Sequence, residues 1–296
     1  LTAILVGTCA WGDHEEYYPK GLPPGERLAY YAAHFPIVEV DSSFYSLQPP
    51  KWYAGWAAKT PPGFVFNVKA YGAMTRHHRE PRPGEEDLGE VFRRFDASVQ
   101  PLREARKLKA LHFQFPPWFT RSSENLEWLH YCREFFRHDI LAVEFRHHSW
   151  FLGAARDETL SLLRRLNAVN VVCDEPQVGS GTVPPVVAVT DPRLAIVRFH
   201  GRNAKTWYIK AETTAQRFDY LYSHAELQEW VGPVRQLAGE ADEVHLLMNN
   251  NRANYAVRNA LDLMSLLGMA IPELDERGVP VAPRRAGAKP EQLKLF

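Results

Sequence analysis

Polar and ionisable residues recur two apart along several short apolar runs of this 296-residue chain. Glu39 and Asp41 stand so in IVEVD (37–41), Asn67 and Lys69 in FVFNVKA (64–70), and His112 and Gln114 in ALHFQF (110–115). Glu144 and Arg146 follow in LAVEFR (141–146) and Arg198 and His200 in AIVRFH (195–200), while Asp174 closes NVVCD (170–174). Successive side chains of a strand point to opposite faces, so residues i and i+2 share one. The residues between are apolar and suit packing beneath helices. The polar set is therefore expected to face a common interior and to crowd toward the strands' C-terminal ends. For any one strand, a structural network of paired ions explains the pattern as well. Across five or six strands, burial costs on the order of several kcal/mol per ion, and a wet, substrate-binding mouth is the better explanation.

The residue types narrow the chemistry. Glu39, Asp41, Glu144 and Asp174 are acidic, Lys69, Arg146 and Arg198 are basic, and His112 and His200 can titrate. Metal clusters favour carboxylates and neutral imidazoles with few competing cations. Three cations and the lack of an H-E-x-x-H spacing argue against a bound metal, and no cofactor is implied. Arg146 and Arg198 suit a forked grip on phosphate or carboxylate, with Lys69 beside them. Glu39, Glu144, Asp174 and His200 are the candidate general acids and bases. Paired carboxylates would equally serve glycoside hydrolysis, for which their separation decides. Trp11, Tyr45 and Trp150, each a few residues past a strand end, and Tyr208 in HGRNAKTWYIK (200–210), are candidates to stack on a sugar or a base. Gln114, Asn249 and Asn250 complete the candidate binding set, although the NNN run (249–251) also suits a helix cap.

Elements that position these residues are legible. With AILVGT (3–8) and EVHLLMN (243–249), the strand-like runs number eight. Helical periodicity separates most of them. Leu88, Val91, Phe92, Phe95, Val99 and Leu102 form one such stripe, and Ala256, Ala260, Leu263 and Leu267 another. Alternating strands and helices predict a parallel sheet with crossover helices. Eight units in a chain of this size predict a closed (β/α)8 TIM barrel, a fold that commonly takes ~250 residues. A doubly wound open sheet is the weaker alternative, since no G-x-G-x-x-G turn follows the first strand. Two connections are long: YGAMTRHHREPRPGEED (71–87), with a basic run, and the segment 175–192 with GSGTVPP. Both leave C-terminal strand ends, where barrel enzymes carry functional loops. The barrel is expected over 1–272, with a Pro/Gly/Arg-rich, flexible tail over 273–296.

Composition excludes other classes. Lys plus Arg, 35, equals Asp plus Glu, 35, so global charge gives no pull toward nucleic acid or membrane. No apolar run approaches the ~20 residues of a membrane span. Three scattered cysteines, Cys9, Cys132 and Cys173, form neither a disulfide framework nor a C-x-x-C pair. With no secretory signal legible at Leu1, a cytoplasmic protein is expected.

Several motifs together resemble the YecE-like family, domain of unknown function 72. They are VGTCAWG, VEVDSSFY (38–45), W-x-x-K-T-P-x-x-F-x-F-x-V-K-A (56–70), T-R-H (75–77), FQFPP (113–117), AVEFRHHSW (142–150), VRFHGR (197–202), FDYLY (218–222) and NNN-x-x-x-N-Y-A-x-x-N-A (249–260). The resemblance runs from about Ile4 to Gly268. It implies a TIM barrel and names no activity. It also implies that Glu39, Lys69, Gln114, Glu144, Arg146, Asp174, Arg198, His200, Asn249 and Asn250 are the family's characteristic polar residues. Asp41 stands where the family usually has Asn.

The chain ends in Gln292-Leu293-Lys294-Leu295-Phe296. This resembles the bacterial sliding-clamp-binding pentapeptide, Gln-Leu-(Ser/Asp)-Leu-Phe, with Lys294 departing from it. Gln292 would hydrogen-bond while Leu293, Leu295 and Phe296 fill an apolar groove. Alternatively the tail folds back on its own barrel or pairs with a second subunit. The combined expectation is a hydrolase or lyase acting on a phosphate-bearing nucleic-acid or nucleotide substrate, recruited to the DNA sliding clamp through its tail. A carbohydrate-active enzyme and a non-catalytic ligand-binding barrel are the alternatives.

Overall fold

The computed structural model describes residues 2–208, 218–275 and 280–281. Among them, eight parallel strands close into a barrel: β1 (Ala3–Cys9), β2 (Ile37–Val40), β3 (Val65–Lys69), β4 (Leu108–Gln114), β5 (Leu141–Glu144), β6 (Ala168–Asp174), β7 (Ala195–Phe199) and β8 (Glu243–Met248). β8 pairs with β1 from Ala3↔Glu243 to Thr8↔Met248, leaving no free edge. Val, Ile, Leu and Phe dominate these runs, as expected of strands buried on both faces. Gly7 sits where β1 meets β2; a Cβ there would lie 2.2 Å from the Ile37 carbonyl oxygen.

Helices α1 (Arg27–Ala32), α2 (Ser42–Tyr45), α3 (Pro50–Lys59), α4 (Leu88–Glu104), α5 (Ser123–Phe135), α6 (Ala155–Arg165), α7 (His224–Gln228), α8 (Val231–Glu240) and α9 (Tyr255–Leu266) lie between and after the strands. α4 and α9 realise the two predicted stripes. α4 starts where the Asp87 carboxylate accepts the Glu90 amide at 3.2 Å, and it buries Val91, Phe92, Phe95, Val99 and Leu102. One crossover differs from strict alternation. Residues 175–194, between β6 and β7, hold no helix. Gly179, Gly181, Pro184, Pro185 and a β-branched run leave that stretch without helical periodicity.

Inside the barrel, side chains stack in layers. Ile37, Ala110, Ala142, Val171, Ile196 and Leu247 form an apolar layer. Below it, His245 bridges Asn67 (3.0 Å) and Glu243 (2.6 Å), and Glu243 meets Lys109 (2.8 Å). Above it, toward the C-terminal strand ends, lies an ionic layer. The chain after α9 returns to the barrel: Tyr30 Oη donates to the Pro280 carbonyl at 2.6 Å. Gln292, Leu293, Leu295 and Phe296 lie outside the described residues. Among the described residues, no helix is long and apolar enough to cross a membrane.

Candidate active site at the barrel mouth

Strand parity brings Glu39, His112, Glu144 and Arg198 to one level. Each is 1 % exposed or less, which puts them beneath the mouth rather than in it. Arg198 lies at the centre. One guanidinium nitrogen, Nη1, donates to Glu144 Oε2 at 2.7 Å, and the other, Nη2, donates to Glu39 Oε1 at 2.6 Å. His112 bridges the same pair from the other side, with Nδ1 2.8 Å from Glu39 and Nε2 3.2 Å from Glu144. Two acids and two bases thus close a ring. Burial alone would raise both glutamate pKa values. Burial is the largest single influence, but Arg198 and His112 at Glu39, and Arg198, His200 and Arg146 at Glu144, together outweigh it, and both carboxyls stay well below the usual range. Burial pulls His112 down, but Glu39 wins and its pKa is raised. Cys9 Sγ and Gln114 Oε1 accept further, longer bonds from Arg198, each at 3.4 Å.

A second tier lies above the ring. His200 Nε2 is 3.3 Å from Glu144 Oε1, and Asn249 Nδ2 meets His200 Nδ1 at 2.8 Å. Burial, then the Arg146 charge, lowers the His200 pKa to about 3, so its ring is neutral. With Asn249 donating to Nδ1, the proton of that ring sits on Nε2 and faces Glu144. Arg146 lies 3.4 Å from Glu144, binds Glu175, and is roofed by the Trp207 ring at 5.2 Å. Lys69 Nζ lies 3.5 Å from Asp41 Oδ1 and 4.7 Å from the centre of the Phe44 ring. The Asp41 side chain keeps 21 % of its surface. Burial raises the Asp41 pKa; Lys69 opposes that and Glu39 adds to it. His77, at the edge of this tier, is also neutral. Burial and then the charges of Lys69 and Arg146 bring its pKa to about 3.

The backbone explains why these groups meet. Ser43 Oγ, at the start of α2, donates to the Lys69 carbonyl at 2.6 Å and fixes the end of β3. The Ala70 amide donates to His112 O and the Phe115 amide to Glu144 O, each continuing the ladder past its strand end. Gly201 turns the chain after His200 at φ +86°, where a Cβ would lie 2.6 Å from Tyr220 Cβ.

A family model described as "Protein of unknown function DUF72" matches residues 5–284, across the whole barrel. The chain belongs to the DUF72 family. The DUF72 barrel here is 38% identical to the UPF0759 protein YunF of Bacillus subtilis over 99% of this chain and all of that one. A crystal structure of a DUF72 family protein from Enterococcus faecalis matches with a TM-score of 0.83 at 30% identity, over 92% of this chain and 100% of that one. Another from Thermotoga maritima matches with a TM-score of 0.78 at 33% identity, over 90% and 99%.

Not every candidate residue reaches the mouth of this DUF72 barrel. Asp174 turns the other way. Its carboxylate accepts from Arg202 (2.7 Å), Tyr222 Oη (2.7 Å) and Trp230 Nε1 (2.6 Å), and anchors the segment after β7. The inward positions of β6 and its extension belong instead to Cys173 and Glu175. Trp150 is fully buried, stacked 4.0 Å from Phe145 with its Nε1 donating to Phe119 O at 2.7 Å. Asn250 also points outward, donating to Tyr220 O and Asn259 Oδ1. Arg198 is fully buried, with its two terminal nitrogens committed to Glu144 and Glu39. Trp11 is half-buried, edge-on to Trp56 at 5.2 Å. Tyr45 and Tyr208 stand at the rim, each 57% exposed. Glu175, His77, Trp207 and the ring-closing His112 are the groups the candidate set lacked. Glu175 shares parity with Cys173, a signal present in VVCDE but unanchored, because β6 is buried on both faces.

Glu144, Cys173 and His200 bring potential ligand atoms within 4.8 Å of one another. The donor set does not suit a divalent ion. Arg198 and Arg146 already neutralise Glu144, and burial, then the Glu144 and Glu175 charges, push the Cys173 thiol pKa well up.

Proposed function

We propose that this DUF72 protein is an enzyme, a hydrolase or lyase acting at the barrel mouth on a phosphate-bearing nucleotide or nucleic-acid substrate. One observation carries this reading: among the described residues, Lys69 at the top of the ionic layer faces only Asp41, 3.5 Å away and biased by burial toward its neutral form, while Arg146 beside it is shared between Glu144 and Glu175. An anion is the natural complement of that field. Glu39, Glu144 and Arg198 form the charged floor beneath and hold the contacting groups in place. Asp41, with 21% of its side chain exposed, is the proton-handling group nearest the opening, and the buried His200 lies behind it. Tyr45 and Tyr208 give the rim flat faces for a base or sugar. A glycosidase reading fits less well, since Glu39 and Glu144 are both tied to the same Arg198 and His112 and are buried beneath the mouth.

Titration calorimetry with inorganic phosphate and nucleoside monophosphates tests the site. Lys69→Ala and Arg146→Met should each weaken binding by about tenfold or more, the worth of a charge-assisted hydrogen bond of ~1.5–3 kcal/mol. Binding unaffected by both substitutions would refute it. Recruitment through Gln292, Leu293, Leu295 and Phe296 remains part of the proposal, supported by the sequence motif. Full-length chain should retain purified bacterial sliding clamp on a column, and chain lacking residues 292–296 should not. Equal retention would end that part.

A further inference from the structure

We propose that Lys69 is a covalent nucleophile, forming an imine with an aldehyde or ketone that carries a phosphate group. This rests on the reading of the mouth as an anion site and selects lyase chemistry over hydrolysis within it.

Lys69 ends β3 on the inward face, the one lysine so placed at this end of the barrel among the described residues. Its side chain keeps 10% of its surface, beside the 21% kept by Asp41. Its neighbours are those an imine-forming lysine needs. The Phe44 ring, 4.7 Å away, offers an apolar wall. Asp41, at 3.5 Å, is beyond a tight ion pair and is itself biased by burial toward the protonated form, so it can take and return a proton. Arg146 supplies a second positive charge, and the His77 ring feels both cations. A phosphate drawn by Arg146 would hold the carbonyl of the same molecule near Nζ. Ser43 pins the Lys69 backbone, so the amine's position is set by the end of the strand rather than by a loop.

In the reaction, Lys69 passes a proton to Asp41 and the neutral amine attacks the carbonyl carbon. A C–N bond forms and the carbonyl oxygen takes the proton back, giving a carbinolamine. The nitrogen, left with two hydrogens and the positive charge, gives one hydrogen to the departing hydroxyl as water, leaving the protonated C=N. Amine plus carbonyl gives imine plus water, with no other reactant. The protonated imine draws electrons from the adjacent carbon, the step a lyase uses to break a neighbouring bond. Hydrolysis returns the lysine.

The full chain is incubated with glycolaldehyde phosphate, reduced with borohydride, and mapped by peptide mass spectrometry, beside a calorimetric titration of the unreduced mixture. Lys69 should carry most of the reduced adduct, and excess inorganic phosphate should suppress it at least fivefold. Lys69→Arg, which keeps the charge, should bind the compound and give no adduct at residue 69. Asp41→Asn removes the group that takes and returns the proton and should slow labelling of residue 69 at least fivefold while the compound still binds, a split that a merely structural role would not produce. If the compound binds but adducts fall only on surface lysines such as Lys51 and Lys205, the nucleophile is refuted while the anion site stands. If it neither binds nor labels, both are refuted.

Discussion

Replacing Arg198 with Met tests the architecture most directly, because a single guanidinium neutralises two buried carboxylates. Met approximates its length and leaves no large void. It strands Glu39 and Glu144, 1 % and 0 % exposed, with His112 as the sole bridge between them. Removing one partner of a buried ion pair costs about 3–5 kcal/mol, a large part of the ~5–15 kcal/mol by which domains are stable. At ~2–4 °C per kcal/mol for a protein of this size, Tm should fall by about 10 °C. The pH dependence is more diagnostic. In the native protein both glutamate pKa values are depressed. Their contribution is therefore present above the ordinary carboxylate range and is lost only as pH falls through the folded values. Without Arg198, burial dominates and both pKa values rise. Their contribution then exists at low pH and is lost as pH rises through the new folded values. The Tm deficit of Arg198→Met should thus be smaller at pH 5 than at pH 8. Adding Glu39→Gln, which removes one stranded charge, should recover part of the loss. Circular dichroism melts across that range check this. A variant that melts within 2 °C of the native protein at every pH would refute the reasoning.

Asp174→Asn places an amide against three donors, Arg202, Tyr222 and Trp230. Tm should drop by about 8 °C, from ~3 kcal/mol of lost charge-assisted bonding, while phosphate affinity measured by calorimetry stays within twofold. Gly7→Ala forces a methyl to within 2.2 Å of the Ile37 carbonyl and 2.9 Å of Ile37 Cγ2. The β1–β2 seam must open, so a loss of about 3 kcal/mol is expected in urea unfolding.

The sequence by itself determined the eight strands, their closure, and the inward parity of Glu39, Lys69, Gln114, Glu144, Arg146, Arg198 and His200. Period-two alternation of polar and apolar residues carries that information wherever one face of a strand is polar. It failed at Asp174. In β6 the polar Asn170 shares parity with Asp174 while Val171 and Cys173 are apolar, so the local pattern gave no sign that Cys173 and Glu175 would point inward, and register against β7 made the choice, pairing Cys173 with Arg198. It failed likewise at Trp150 and Asn250, whose distance from a strand end says nothing about which neighbour absorbs a ring or an amide. Only the tertiary structure decided that Arg198 pairs with both Glu39 and Glu144. Pairing among charges depends on which strands stand opposite one another across a closed barrel, and β2, β5 and β7 meet there only once the sheet has closed.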